Sequence, residues 1–185
     1  ELYNQKGQAF ELHTDDPVSK TSDGTYLLLT KMNQIFIFNG IEEKPVPSLL
    51  GNFSAPVKLN YDYTEDELTL LMTYDSDLFN RWDSAQRLCT QVVKKLMQAH
   101  KQSQPLSVPT DLFKAYETLL AQHNIDLAVI AQILSLPSFQ YIAEELPSIE
   151  VSALIAARQA FVKQFSTHLA DALFAAYEKA SKADD

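Results

Sequence analysis

From residue 57 to residue 63 the chain alternates without a break. Val57, Leu59, Tyr61 and Tyr63 fall on one side, and Lys58, Asn60 and Asp62 on the other. A period of two predicts an extended segment with one buried face. Upstream, the short apolar runs Tyr26–Leu29 and Gln34–Phe38 carry β-branched and aromatic residues, and Ala9–Leu12 is a shorter candidate. Ser22-Asp23-Gly24 and Asn39-Gly40 bound these runs, and Asn-Gly favours a tight hairpin turn because both residues tolerate positive φ. The pattern from residue 1 to about 60 is therefore β.

After Tyr63 the period becomes helical. Thr64-Glu65-Asp66-Glu67 reads as a capping box, with Thr64 capping the first turn and Glu67 reaching back to its amide. Leu68, Leu70, Leu71 and Met72 supply the apolar face. A long helix is predicted from about Ser76 to His100, with Leu78, Phe79, Trp82, Ala85, Leu88, Cys89, Val92, Val93 and Leu96 near helical spacing. Pro105 and Pro109 punctuate its end. Thr110 is the expected cap of a helix from Asp111 to about Gln122, and Ile125 to Leu134 reads as the next. Pro137 and Pro147 bracket a short helix, Phe139 to Glu145, and the last and longest runs from about Glu150 to Lys182. Short helices separated by Pro or Asn resemble a solenoid, although no fixed repeat is visible.

The fold class is α+β, divided at residues 1–60 and 61–185. Pro45, Pro47 and Pro56 cluster at the seam. Lacking an N–H, they are expected to end the β ladder and to stiffen an interdomain joint.

The formal net charge of −9 argues against a nucleic-acid partner, which needs clustered Lys and Arg. No apolar run approaches the ~20 residues of a membrane span. The first residues, ELYNQKGQAF, have neither the basic nor the apolar region of a signal peptide. The absence of an initiator Met and the abrupt β start suggest a piece of a longer chain. The lone Cys89 fits a reducing, cytoplasmic compartment.

Candidate chemistry is sparse. None of His13, His100, His123 and His168 has another His at metal-ligand spacing. A site built from His13, Asp15 and Asp16 is a weak alternative to a loop. His100 and His123 read as helix-end residues and His168 as a mid-helix surface residue. Cys89 falls on an apolar helix face and reads as an inert thiol. Asp75, Asp77 and Asp83 are close in sequence, but Asp75 or Ser76 reads as a cap and Asp77 as favouring the positive helix end. Arg81-Trp82-Asp83 is the most pointed feature, a ligand platform or, more simply, a core anchor flanked by a salt bridge. Lys94, Lys95 and Lys101 read as a solvated face. No residue is assigned to catalysis, to a cofactor or to a metal.

Several blocks carry a resemblance: Pro45–Leu50, Phe53–Leu59, Glu67–Met72, Phe79–Gln86, Gln104–Ser107 and Ile133–Ser138. In order and spacing they resemble the bacterial aminopeptidase N family, the alanyl aminopeptidases among the gluzincin zinc metallopeptidases. The resemblance covers nearly the whole chain. It implies the later part of an Ig-like β-sandwich domain followed by the first helices of a solenoid-like C-terminal domain. It also implies that the zinc-binding His-Glu-x-x-His, its Glu ligand, the Gly-x-Met-Glu-Asn motif and the catalytic Tyr lie upstream, since none is present here.

On that reading the zinc belongs to the parent enzyme. The chain is a non-catalytic joint and lid over a chamber where N-terminal amino acids are removed from peptides. Its partners are the parent's catalytic domain and, through it, peptide substrates, and a truncated sandwich and solenoid are expected to bury their open faces by self-association, by alternative packing or by a β-sheet laid against the chain's own helices. The alternative is a freestanding module that binds a peptide or protein without enzymatic activity.

Overall fold

A computed structural model describes residues 1–185 except 17, 18, 22, 23, 54, 58, 123, 124, 184 and 185; for residues 19–21, 24, 25, 53 and 183 it describes the backbone alone. The chain divides into two compact units, Glu1–Lys58 and Leu59–Asp185.

In the first unit, β1 (Leu2–Tyr3) pairs antiparallel with β4 (Val46–Pro47), in the register Leu2 to Pro47 and Tyr3 to Val46. A bridge from Tyr3 to Ala9 and a hydrogen bond from Phe10 N to Leu2 O (2.8 Å) extend the other side of β1. Tyr3 and Val46 are buried there. The proline seam is thus not simply the end of the ladder, as the sequence suggested. Val46-Pro47 is itself a short strand, paired with β1.

The hairpin of β2 (Ser19–Thr21) and β3 (Gly24–Tyr26) brackets residues 22 and 23, which lie outside the described residues. The predicted strand Tyr26–Leu29 survives only at Tyr26. Gln34–Phe38 and Val57–Tyr63 form no strand among the described residues. Leu28, Leu29, Met32, Ile35 and Ile37 are largely exposed. These runs have strand composition, but a strand also requires a neighbouring edge. Here only Asn39 pairs, through an isolated bridge to His13, so the expected Asn-Gly hairpin is absent among the described residues.

The second unit is helical. In α1 (Glu65–Tyr74) the capping box forms as the sequence indicated: Glu67 N donates to Thr64 Oγ1 (3.2 Å), and Thr64 N to Glu67 Oε2 (2.9 Å). Next comes α2 (Leu78–Lys101). Its cap is Asp77, whose Oδ1 accepts from Asn80 N at 2.9 Å, rather than Asp75 or Ser76. α3 (Thr110–Ala121) starts one residue earlier than predicted. Pro109 takes the cap position, so Thr110 lies inside the helix and caps nothing.

Asp126 caps α4 (Leu127–Leu134), and Ser138 caps α5 (Phe139–Glu144). The single long helix predicted for the C-terminal stretch is two, α6 (Val151–His168) and α7 (Ala170–Ala183), separated at Leu169. Leu169 has φ −98° and ψ 7° and is fully buried, so the bend swings its side chain into the core and brings α7 against α3. No Gly or Pro marks this bend, and sequence periodicity runs through it.

α2 is the axis of the unit, packed by α1, α4 and α6, while α3 meets α1, α4 and α7. Its apolar face, including Ala85, Leu88, Val92, Val93 and Leu96, joins Leu112, Phe113, Tyr116, Leu154, Phe161 and Phe165 in one core. Tyr116 meets Phe165 edge-on with centroids 4.8 Å apart. Burial of each such side chain contributes about 1.5–3 kcal/mol.

Candidate functional site

Arg81-Trp82-Asp83 opens α2, and helical geometry sends its three side chains in different directions. Arg81 points inward and is almost fully buried. Its Nε donates to Asp75 O at 2.6 Å and its Nη1 to Gln122 Oε1 at 2.9 Å, while Gln122 Nε2 donates to Thr73 O at 2.9 Å. Thr73 and Asp75 lie at the C-terminal end of α1, and Gln122 caps that of α3. One guanidinium therefore gathers two helix C-termini, where carbonyls lack intrahelical donors and a cation is favoured. Asp75, almost inaccessible to solvent, closes the corner by accepting from Asp77 N at 2.9 Å.

Trp82 packs half-buried against the core beside Phe79, with ring centroids 5.4 Å apart. Asp83 pairs with Arg87 at 2.7 Å, one helical turn on, and burial raises its carboxyl above the usual range despite that guanidinium. The anchor expected at Trp82 is present. The flanking charges do not act together, because Arg81 serves the helix ends and Asp83 serves Arg87.

Asp83, Arg87, Gln91 and Lys95 recur every four residues and form one ridge of α2. The Arg87 guanidinium lies 5.9 Å from the centroid of the Tyr63 ring, Gln91 Nε2 donates to Tyr63 O (3.4 Å), and Lys95 Nζ to Glu65 Oε2 (2.7 Å). Burial raises the Tyr63 phenol strongly, opposed by Arg87. The ridge thereby holds the stretch that leads into α1. Beside it lies an open groove of about 490 Å³ lined by Thr64, Glu65, Asp66, Gln91, Lys94 and Lys95. Both lysines in it are engaged, Lys94 with Glu145 (3.7 Å) and Lys95 with Glu65. Lys101 pairs with Glu150 at 2.6 Å. The lysines expected to form a solvated face are thus half-exposed ties between α2 and α5, α1 and α6.

Cys89 is buried, its Sγ 3.3 Å from Tyr116 Oη, and burial pushes the thiol up to about 11. Tyr116 Oη in turn lies 3.4 Å from Ile133 O. Such a thiol is a core group rather than a nucleophile at neutral pH.

His13 is exposed, 3.8 Å from Glu11, whereas Asp16 Oδ2 accepts from Ile37 N at 2.7 Å. His100 is exposed in the last turn of α2, as expected, and His123 lies outside the described residues. His168 is the last residue of α6 rather than a mid-helix one, stacked on Phe113 at 4.2 Å with its Nδ1 3.0 Å from Gln164 O. Among the described residues no three His, Cys, Asp or Glu side chains converge on a metal position, so the residues present do not fit a zinc ion. Gln122, Tyr116 and Tyr63 act through contacts far apart in sequence, which no local pattern signals. The four-residue spacing of the ridge was a signal available in the sequence.

An Ig-like region followed by stacked helices defines the class, and known proteins carry the same pair. Residues 65–185 match the family described as "Domain of unknown function (DUF3458_C) ARM repeats", and residues 1–62 the one described as "Domain of unknown function (DUF3458) Ig-like fold". The chain belongs to the DUF3458_C family, with the Ig-like region preceding the ARM repeats. It is similar to Aminopeptidase N of Escherichia coli (strain K12), 38% identical over 178 residues, which are 96% of this chain and 20% of that relative. Aminopeptidase N of Haemophilus influenzae is 33% identical, over 82% of this chain and 17% of its own length. That of Caulobacter vibrioides is 31% identical over the same shares.

The crystal structure of Legionella pneumophila aminopeptidase A in complex with aspartic acid has the same fold, with a TM-score of 0.74 at 23% identity over 95% of this chain and 19% of that one. The chain spans about a fifth of the length of the curated relatives it matches. The resemblance read from the sequence blocks is borne out.

Proposed function

We propose that this chain is a non-catalytic part of a cytoplasmic zinc aminopeptidase that removes N-terminal amino acids from peptides. Residues 1–60 serve as part of its β-sandwich, and residues 61–185 as the first part of its helical domain. The region acts as an interdomain joint and a lid over the active-site chamber. In the parent, zinc supplies the activated water for attack on the peptide carbonyl, and this chain contributes no ligand to it. The observation that carries the reading is the disproportion of the match: nearly all of this chain aligns with Aminopeptidase N relatives, but only a fifth of each relative aligns with it. The joint role is supported by the ridge of α2, which fixes Tyr63 and Glu65 where the helical unit begins.

Two experiments test it. An antibody raised to this chain should detect, in source cells, a band several times larger than 20.8 kDa; a band at 20.8 kDa overturns the reading in favour of a freestanding binding module. The purified chain, given zinc and an alanyl chromogenic substrate, should release no amine above a buffer control, and zinc-dependent turnover would sink the non-catalytic assignment.

A further inference from the structure

Asn39-Gly40 is exposed, and its hydrogen bonding is unusual. Asn39 N donates to His13 O at 2.8 Å, which pins the backbone on that side. The Asn39 side-chain amide and the Gly40 N–H have no hydrogen-bond partner among the described residues. Gly40 has φ +77°, and a Cβ built on it would meet nothing within 4 Å, so the far side of the dipeptide is open. An unrestrained carboxamide thus adjoins an unrestrained, unhindered amide nitrogen. The other asparagines, at positions 4, 33, 52, 60, 80 and 124, are each followed by a residue with a side chain that hinders this approach.

We infer that Asn39-Gly40 is a site of spontaneous covalent modification, which converts Asn39 into an aspartyl or isoaspartyl residue, the isoaspartyl form breaking the backbone bridge to His13. The Gly40 nitrogen loses its proton and bonds to Asn39 Cγ. The Cγ–Nδ2 bond breaks, and the amide nitrogen leaves as ammonia with that proton. Water then opens the five-membered imide at either carbonyl. The co-reactant is water, and no electrons are exchanged. The product carries one more negative charge. In the isoaspartyl form the main chain gains a methylene between the residue 39 Cα and the Gly40 nitrogen, and the α-carbonyl becomes a free carboxylate, so the backbone at residue 39 loses the extended geometry that faces His13. The segment ending at residue 39 then loses one of its two described ties to residues 13–16, leaving Ile37 N on Asp16.

The test is incubation of the full chain at mildly alkaline pH, read by isoelectric focusing and by peptide mapping with fragmentation. The expected result is a more acidic species that accumulates faster as pH rises, with its mass change at Asn39 and none at Asn33 in the same tryptic peptide. Isomerisation at Asp23-Gly24 changes neither mass nor charge and is not counted. Asn39→Gln, which would require a larger ring and leaves Gly40 untouched, should slow the acidic species severalfold. Conversion no faster at Asn39 than at Asn33 or Asn60 overturns the inference, as does an acidic species undiminished in Asn39→Gln. Hydrogen exchange on the separated isoaspartyl species should show lost protection at the residue 39 amide, and retained protection overturns the broken bridge.

Discussion

At the scale of single residues, Arg81 and Cys89 show how much of α2 is committed to structure. Removing the guanidinium in Arg81→Met keeps the apolar stem but takes this donor away from Asp75 O and Gln122 Oε1. Hydrogen bonds to a charged group contribute about 1.5–3 kcal/mol each, and burial here denies water as a substitute. We expect Arg81→Met to lower the unfolding free energy by roughly 2–4 kcal/mol in urea denaturation followed by circular dichroism. Lys95→Met, which breaks a surface pair, should cost under about 1 kcal/mol. Equal effects would mean that Arg81 does not hold the two helix ends.

Cys89 makes a prediction in pH. Its thiol titrates at about 11 when folded against an ordinary 9.0, so the folded state holds its proton more tightly. That contribution is fully present below pH 9 and is lost as pH rises through 11. Stability should decline by on the order of 2 kcal/mol across that window, and Cys89→Ala should flatten the decline. A decline unchanged in Cys89→Ala would assign it to other groups, Tyr116 first.

At the scale of elements, the helix caps separate what sequence pattern conveys from what it does not. Asp77 accepts the Asn80 amide at the start of α2, whereas Thr110 sits inside α3 behind Pro109. Asp77→Ala should therefore cost about 0.5–2 kcal/mol, the usual worth of an N-cap, and Thr110→Ala should be near neutral; thermal melts of the two variants check the contrast. A Thr110→Ala loss as large as that of Asp77→Ala would mean that Thr110 is the cap after all. The Thr64–Glu67 box was legible because both partners lie within four residues. The cap of α2 was misplaced because Asp75, Ser76 and Asp77 all have capping chemistry, and only the chain path decides among them.

The bend at Leu169 is invisible in the sequence because what stabilises it is burial in a core whose other members lie far away along the chain, with α7 brought against α3. In the first unit the apolar runs Tyr26–Leu29 and Gln34–Phe38 form no strand beyond Tyr26 among the described residues, because a strand depends on a neighbour that no single run can specify. The same limit applied at the candidate site. Arg81-Trp82-Asp83 stands out in the sequence, but its division among helix ends, core and ridge rests on Gln122 and Arg87. Gln122 is remote in sequence.

At the scale of the molecule, each unit leaves apolar surface uncovered. In the first, Leu28, Leu29, Met32, Ile35 and Ile37 are exposed on a segment with few described backbone partners. In the second, Val151, Ile155 and Val162 form an exposed stripe along α6, joined by Arg158, whose guanidinium lies 4.6 Å from the centroid of the half-exposed Phe139 ring. Phe174 and Tyr177 add exposed aromatic surface on α7. A contiguous apolar face on ordered elements marks an association surface, and in a stacked-helix fold it is the face on which another layer packs. The α6 stripe should dominate, because its side chains are already held in line by a helix, whereas residues 27–37 belong to no helix or strand.

The free chain is therefore expected to self-associate, with a weight-average mass above 20.8 kDa that rises with concentration in light scattering coupled to size exclusion. Ile155→Ser with Val162→Ser should return it to a monomer, and Ile35→Ser with Ile37→Ser should not. A monomer at every concentration would mean that these faces are too small or too wet to drive association. Rescue by the residue 35 and 37 pair alone would move the driving surface to the Ig-like unit.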